Sequence, residues 1–122
     1  MVVLTKIIEQ CKEINEPLLV FSGSLRALDY IEEYLKSNGQ YKYLRMEGST
    51  PTQKREEMIR NFNNKKNGIH VFIISIHTGS LGVNLTAASR VVLLDMHFNP
   101  THNLQAAARV KNNINMYIVI FL

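Results

Sequence analysis

Residues 18–35 read LLVFSGSLRALDYIEEYL. Leu18 to Phe21 is a short continuous apolar run, the pattern of a strand buried on both faces of a parallel sheet. Ser22, Gly23 and Ser24 follow as a tight turn, with Ser24 placed to cap a helix. Leu25, Leu28, Ile31 and Leu35 then recur at helical spacing as an apolar stripe, and Gly39 stands where a left-handed helix stop is needed.

The same alternation continues on both sides. Upstream, Val3, Leu4, Ile7, Ile8, Cys11 and Ile14 mark a helix over residues 2–14 that Pro17 ends. Downstream, residues 41–46 fit a strand and Gly48-Ser49-Thr50 the turn after it. Thr50 is the expected N-cap of the next helix, with Pro51 at its first position and Gln53 reaching back as in a capping box. Met58, Ile59 and Phe62 face the core. A polar loop at Asn63–Gly68 leads to a third strand, Ile69–Ile74. A glycine-containing loop and short helix precede a fourth strand, Arg90–Asp95. Asn99 and Pro100 open a helix that runs to about Arg109.

Strands alternating with helices across short loops predict an α/β fold, a three-layer parallel sheet with helices on both faces and right-handed crossovers. Ligands bind such sheets at the carboxyl ends of the strands. Here those ends lead into Ser22-Gly23-Ser24, Gly48-Ser49-Thr50, Ser75 to Gly82 and Asp95 to Asn99. The hydroxyls of Ser22, Ser24, Ser49, Thr50, Ser75 and Thr78, with glycine-freed amides, suit phosphate oxygens. Taken singly each residue is a turn former or a cap. Four such loops on one edge point to a shared, extended ligand.

The length of 122 residues suits one domain, and 46% hydrophobic with 20% charged residues excludes disordered and low-complexity classes. No apolar run reaches the roughly 18 residues of a membrane span, and the N-terminus meets charge too early for a signal peptide, so an intracellular chain is expected. The single cysteine, Cys11, cannot form an internal disulfide and lies at core spacing. Net charge is +4 and uneven: residues 1–35 carry three basic and six acidic side chains, the remainder eleven and four. A basic remainder is the footprint of a phosphate-rich partner.

His77, His97 and His102 raise metal or general-base chemistry. His77 and His97 fall on different loops, His70 on a strand, and no Cys, Asp or Glu completes a ligand spacing, so no metal site is expected. Ser75 or Ser22 with Asp95 lacks the G-x-S-x-G elbow of a serine hydrolase. There is also no G-x-x-x-x-G-K-[ST] phosphate loop and no Asp-Glu pair for magnesium. Arg109 ends its helix with Gln105 one turn earlier on the same side; taken alone it reads as a solvated surface charge, though an arginine so placed also suits a finger aimed at a nucleotide held by another domain.

In order and spacing, LLVFSGSLRALDYIEEYL, YLRMEGSTPTQKREEMIRNFNN, VFIISIHTGSLGVNLTAASRVVLLD and HFNPTHNLQAAARV resemble the second RecA-like lobe of Swi/Snf-type ATPases of helicase superfamily two. TGSLGVNL followed by AASRVVLLD is most similar to the branch containing ATRX and the androgen-receptor-interacting remodeller. The resemblance implies a motor of two lobes, with ATP and Mg held mainly by a first RecA-like lobe and double-stranded DNA lying across both. It implies a nuclear chromatin remodeller, and a chain that does not hydrolyse ATP alone. Carried over by position, Ser22, Gly48, Ser49, Thr50, Ser75, His77, Thr78 and Asn84 face DNA. Gly79, Leu81, Gly82 and Gln105 face the nucleotide with Arg109, the first arginine finger.

The departures are specific. Gly23 stands where the family usually has glutamine, His77 where it has lysine or arginine, and Phe98 where it has tryptophan. The second finger is missing at Asn112, and the Gly-Gln pair after it is gone. A degenerate lobe that only binds protein or DNA is therefore the alternative reading. The resemblance covers a helicase C-terminal lobe at residues 1–110 and stops at Val110. Residues 111–122, KNNINMYIVIFL, form a divergent tail whose adenine- and thymine-rich codons read as a retained intron or mispredicted exon end, which makes the chain a fragment. The alternative for the tail is a fifth strand at Tyr117–Leu122.

Overall fold

The computed structural model describes residues 2–76, 85, 87–88, 90–95 and 115–120. In chain order the elements are α1 (Val2–Glu13), β1 (Leu18–Ser22), α2 (Leu25–Asn38), β2 (Tyr43–Met46), α3 (Thr52–Asn63), a 3-10 turn at Lys65–Asn67, β3 (Val71–Ser75), β4 (Arg90–Asp95) and β5 (Asn115–Ile120). The five strands form one sheet in the order β2-β3-β1-β4-β5, and every pairing is parallel.

Because successive side chains of a strand point to opposite faces, each central strand contributes to two cores. Leu18, Val20, Val71, Ile73, Val92 and Leu94 pack against Leu4, Ile7, Ile8 and Cys11 of α1 and Leu28, Ile31 and Leu35 of α2. On the other face Leu19, Phe21, Phe72, Ile74, Val91 and Leu93 meet Phe62 of α3 and Leu85, Ala87 and Ala88, with Met58 and Ile59 at the margin. The Phe62 and Phe72 rings lie 5.2 Å apart, which suits a tilted aromatic pair. This is the three-layer α/β sheet that the strand and helix alternation predicts.

Helix ends follow local chemistry with three departures from the sequence reading. Ser24 caps α2 by accepting the Ala27 amide at 3.2 Å, and Gly39 closes that helix with φ +67°, both as expected. Pro17 does not end α1. Asn15 adopts a left-handed φ of 60°, the Asn15 amide donates to Lys12 O and the Glu16 amide to Cys11 O, a Schellman stop that leaves Ile14 half exposed. Thr50 does not cap α3. The cap position falls to Pro51, without a side-chain bond, because the Thr50 hydroxyl turns back to the Glu47 amide. Leu25 lies outside the α2 stripe and is 53% exposed, since it begins the helix at the rim of the sheet.

His70 precedes β3 rather than lying within it, and its Nδ1 accepts the Lys42 amide at 2.9 Å. At the far edge, the backbone of β5 runs parallel to β4 in the register Arg90↔Asn115 to Asp95↔Ile120. The strand begins two residues before the expected Tyr117. Among the described residues, no helix is long and apolar enough to cross a membrane.

Candidate nucleic-acid and nucleotide edge

All strands run the same way, so Ser22, Met46, Ser75 and Asp95 end on one edge of the sheet. β1 leads to α2 on one face of the sheet, and Leu85, Ala87 and Ala88 pack on the other. Ser22 and Ser75 are paired in register at the adjacent carboxyl ends of β1 and β3, the place where parallel sheets bind ligands. They are 1% and 3% exposed, the buried polar residues among those described. Ser22 Oγ accepts the Ser24 amide at 3.1 Å, so it pins the turn that caps α2.

The second described loop, Glu47–Thr50, is held by its own polar groups. The Thr50 amide donates to Glu47 O at 3.0 Å, and the Glu47 amide donates to Thr50 Oγ1 at 3.1 Å. Ser49 Oγ donates to Glu47 Oε1 at 3.1 Å. From α3, Arg55 Nε reaches Thr50 O at 2.8 Å and its Nη2 reaches Gly48 O at 2.9 Å. Gly48 and Ser49 themselves are exposed.

A charged cluster joins this loop to α2. Arg45 Nη1 contacts Asp29 Oδ1 at 2.7 Å and Glu32 Oε1 at 3.0 Å, and its Nη2 contacts Glu47 Oε2 at 2.8 Å. Burial alone would lower the Arg45 guanidinium, but its hydrogen bonds to Asp29 and Glu47 outweigh that and hold it above its ordinary value. Tyr43 donates to Glu32 Oε2 at 2.8 Å, and burial with that bond pushes its phenol up to about 12. Sequence reasoning missed this cluster. Its signal was present in two spacings: Asp29 and Glu32 three apart on a helix, and Tyr43 and Arg45 two apart on a strand.

At the opposite end of the sheet, polar groups serve the fold. Arg90 Nε binds Glu16 Oε2 at 2.7 Å. Tyr41 packs edge-on to His70 with ring centres 5.8 Å apart, and Lys12 Nζ lies 5.2 Å from the centre of the Tyr41 ring. Cys11 is buried as expected, and burial pushes its thiol up from the ordinary value.

The structure therefore brings Ser22 and Ser75 together at the ends of β1 and β3 and sets Gly48, Ser49 and Thr50 on the same edge. His77, Thr78, Gly79, Leu81, Gly82, Asn84, Gln105 and Arg109 lie outside the described residues, as does the second finger position Asn112.

The pattern of the helicase conserved C-terminal domain matches residues 1–112. The Transcriptional regulator ATRX homolog of Drosophila melanogaster is 39% identical over 132 aligned residues, covering 90% of this chain and 10% of that protein. The human SWI/SNF-related matrix-associated actin-dependent regulator of chromatin subfamily A member 1 is 41% identical over 109 residues, with 89% and 10% covered. Human Helicase ARIP4 is 39% identical, with 90% and 9% covered. The crystal structure of the C-terminal part of the Fun30 ATPase domain superposes with a TM-score of 0.82 at 33% identity, over 95% of this chain and 39% of that one. The chain thus spans about a tenth of the length of these curated relatives. Motif order, sheet topology and these likenesses agree: the chain belongs to the helicase conserved C-terminal domain family, as a second RecA-like lobe of the Swi/Snf type.

Proposed function

We propose that this lobe works in the nucleus as the C-terminal half of an ATP-dependent DNA translocase that remodels chromatin. It contributes DNA backbone contacts and an arginine finger to an ATP site completed by a first lobe. The observation that carries the reading is the single parallel edge on which Ser22, Ser75 and the Gly48-Ser49-Thr50 turn stand together in a chain of this family. Small residues, hydroxyls and exposed amides hold phosphate oxygens without reading base sequence.

In this proposal Ser22, Gly48, Ser49, Thr50, Ser75, His77, Thr78 and Asn84 serve the DNA side. Gly79, Leu81, Gly82, Gln105 and Arg109 serve the nucleotide side. The chain has no phosphate-loop sequence, so ATP and Mg belong chiefly to the first lobe. Bound there, ATP supplies the phosphoryl group whose developing charge an arginine neutralises. His77 offers a phosphate contact with full charge only when protonated, which makes that contact weaker at neutral pH than a lysine. Asn112 in place of a second finger favours one other reading, a lobe retained for binding without catalysis.

Fluorescence anisotropy of a labelled DNA duplex titrated with the chain at two salt concentrations tests the DNA contact. Weak binding that falls as salt rises, with little preference among duplex sequences, is expected. No binding, or binding indifferent to salt, would count against the proposal.

A further inference from the structure

A cluster of lysines stands at the end of the sheet away from the carboxyl edge. Lys42 immediately precedes β2, and Lys65 and Lys66 belong to the 3-10 turn that leads into β3, so all three lie at the amino-terminal end of the strands. Lys42 Nζ donates to Asn67 O at 2.9 Å, which ties its side chain to that turn. All three lysines are exposed, and among the described residues none is in an ion pair. Residues 34–46 and 58–75 contain no aspartate or glutamate. The carboxylate that shares a cavity with Lys65, that of Glu16, is held by Arg90 at 2.7 Å. His70 registers the resulting field: burial lowers its pKa, and the charges of Lys12 and Lys42 lower it further.

The turn that presents these charges is held by its own polar groups. Asn64 Oδ1 accepts the Lys66 amide at 3.1 Å, Asn67 Nδ2 donates to Asn61 Oδ1 at 2.7 Å, and Gly68 closes the turn in the left-handed region with φ +66°. Around the lysines the exposed residues include Gly39, Gln40, Asn64 and Gly68. The exposed large apolar side chains among the described residues, Ile14, Leu25 and Tyr30, belong to neither segment. Protein partners are anchored by aromatic or aliphatic side chains, whereas a phosphate backbone is met by lysines and amides without such anchors. The cluster therefore suits nucleic acid better than an acidic protein segment.

We propose that Lys42, Lys65 and Lys66 form a second phosphate-contact surface, which holds a separate DNA segment. The inference rests on the DNA reading proposed above and adds a surface to it. The intervening strands are four or five residues long, so at about 3.3 Å per residue roughly 15 Å of sheet separates the cluster from the carboxyl edge. A straight duplex lying across that edge does not reach round to the opposite end, so each end takes its own duplex and one chain bridges two.

Energy transfer between a donor-labelled and an acceptor-labelled duplex, both titrated with the full chain at low salt, tests this. The unmodified chain is expected to give transfer. Lys65→Gln/Lys66→Gln, checked by circular dichroism, should still bind one labelled duplex by anisotropy, but two phosphate contacts fewer should raise its concentration for half-maximal transfer about tenfold or more. Lys6→Gln, at an exposed lysine of α1, should leave that concentration unchanged. Lysine acetylation read by mass spectrometry should show duplex protecting Lys42, Lys65 and Lys66 more strongly than polyglutamate of matched charge does. No transfer from an unmodified chain that binds duplex, an unchanged half-maximal concentration in Lys65→Gln/Lys66→Gln, or stronger protection by polyglutamate would each overturn the inference and leave the DNA reading intact. The last result would assign the cluster to an acidic protein partner. No duplex binding by the unmodified chain would overturn both.

Discussion

Single residues in this lobe are read by what their polar atoms already hold. Thr50 shows how a sound local rule can be outcompeted. A Ser-Thr-Pro string before an apolar helix fits a capping box, yet the hydroxyl goes to the Glu47 amide three residues back and stabilises the turn instead. His70 gives the residue scale its pH dependence. Its neutral Nδ1 accepts the Lys42 amide, and burial, reinforced by the charge of Lys12, lowers its pKa below the ordinary 6.5. The unfolded chain therefore binds this proton at a higher pH than the folded one, and stability rises with pH across that window. The contribution is complete above pH 6.5 and is lost as pH falls from there toward the lowered folded value. Urea midpoints measured across this range should drop as pH is lowered in the unmodified chain, and by less in His70→Gln. An identical pH slope in the two would refute this assignment.

At the scale of elements, β1, α2 and β4 were legible with nearly correct bounds because each carries a complete local signal. Leu18–Phe21 and Val91–Leu94 are uninterrupted apolar runs buried on both faces, and α2 has a cap, a stripe and a glycine stop. The end of α1 was placed within one residue but given the wrong cause, because proline is the louder signal while the actual stop rests on a left-handed asparagine. The Arg45 cluster was illegible for a different reason. It joins residues 13 and 16 positions apart, and only the packing of α2 beside β2 brings those charges within 3.0 Å. The Ser24 cap offers a quantitative check on α2. Ser24→Ala removes the bond to the Ala27 amide and should cost about 1 kcal/mol in urea unfolding. A change indistinguishable from zero would mean that α2 is fixed by its buried Leu28, Ile31 and Leu35 alone.

For the whole molecule, topology does what no single motif can. Each turn taken by itself is ordinary, but parallel strands in the order β2-β3-β1-β4-β5 gather the strand ends on one edge and place Ser22 beside Ser75. The family and the sheet were readable from motif order, and the superposition on the Fun30 lobe agrees with both. The acidic balance of residues 1–35 falls largely on α1 and α2, which cover one face of the sheet. What a lone lobe lacks is the phosphate loop, and that absence turns the central claim into a question about two lobes.

Fusing a Swi/Snf-type first lobe to this chain, and measuring ATP hydrolysis with and without duplex DNA, tests that claim most directly. Turnover stimulated by DNA and reduced about a thousandfold or more by Arg109→Ala is expected of an arginine finger. Turnover that DNA does not stimulate, or that persists in Arg109→Ala, would contradict it.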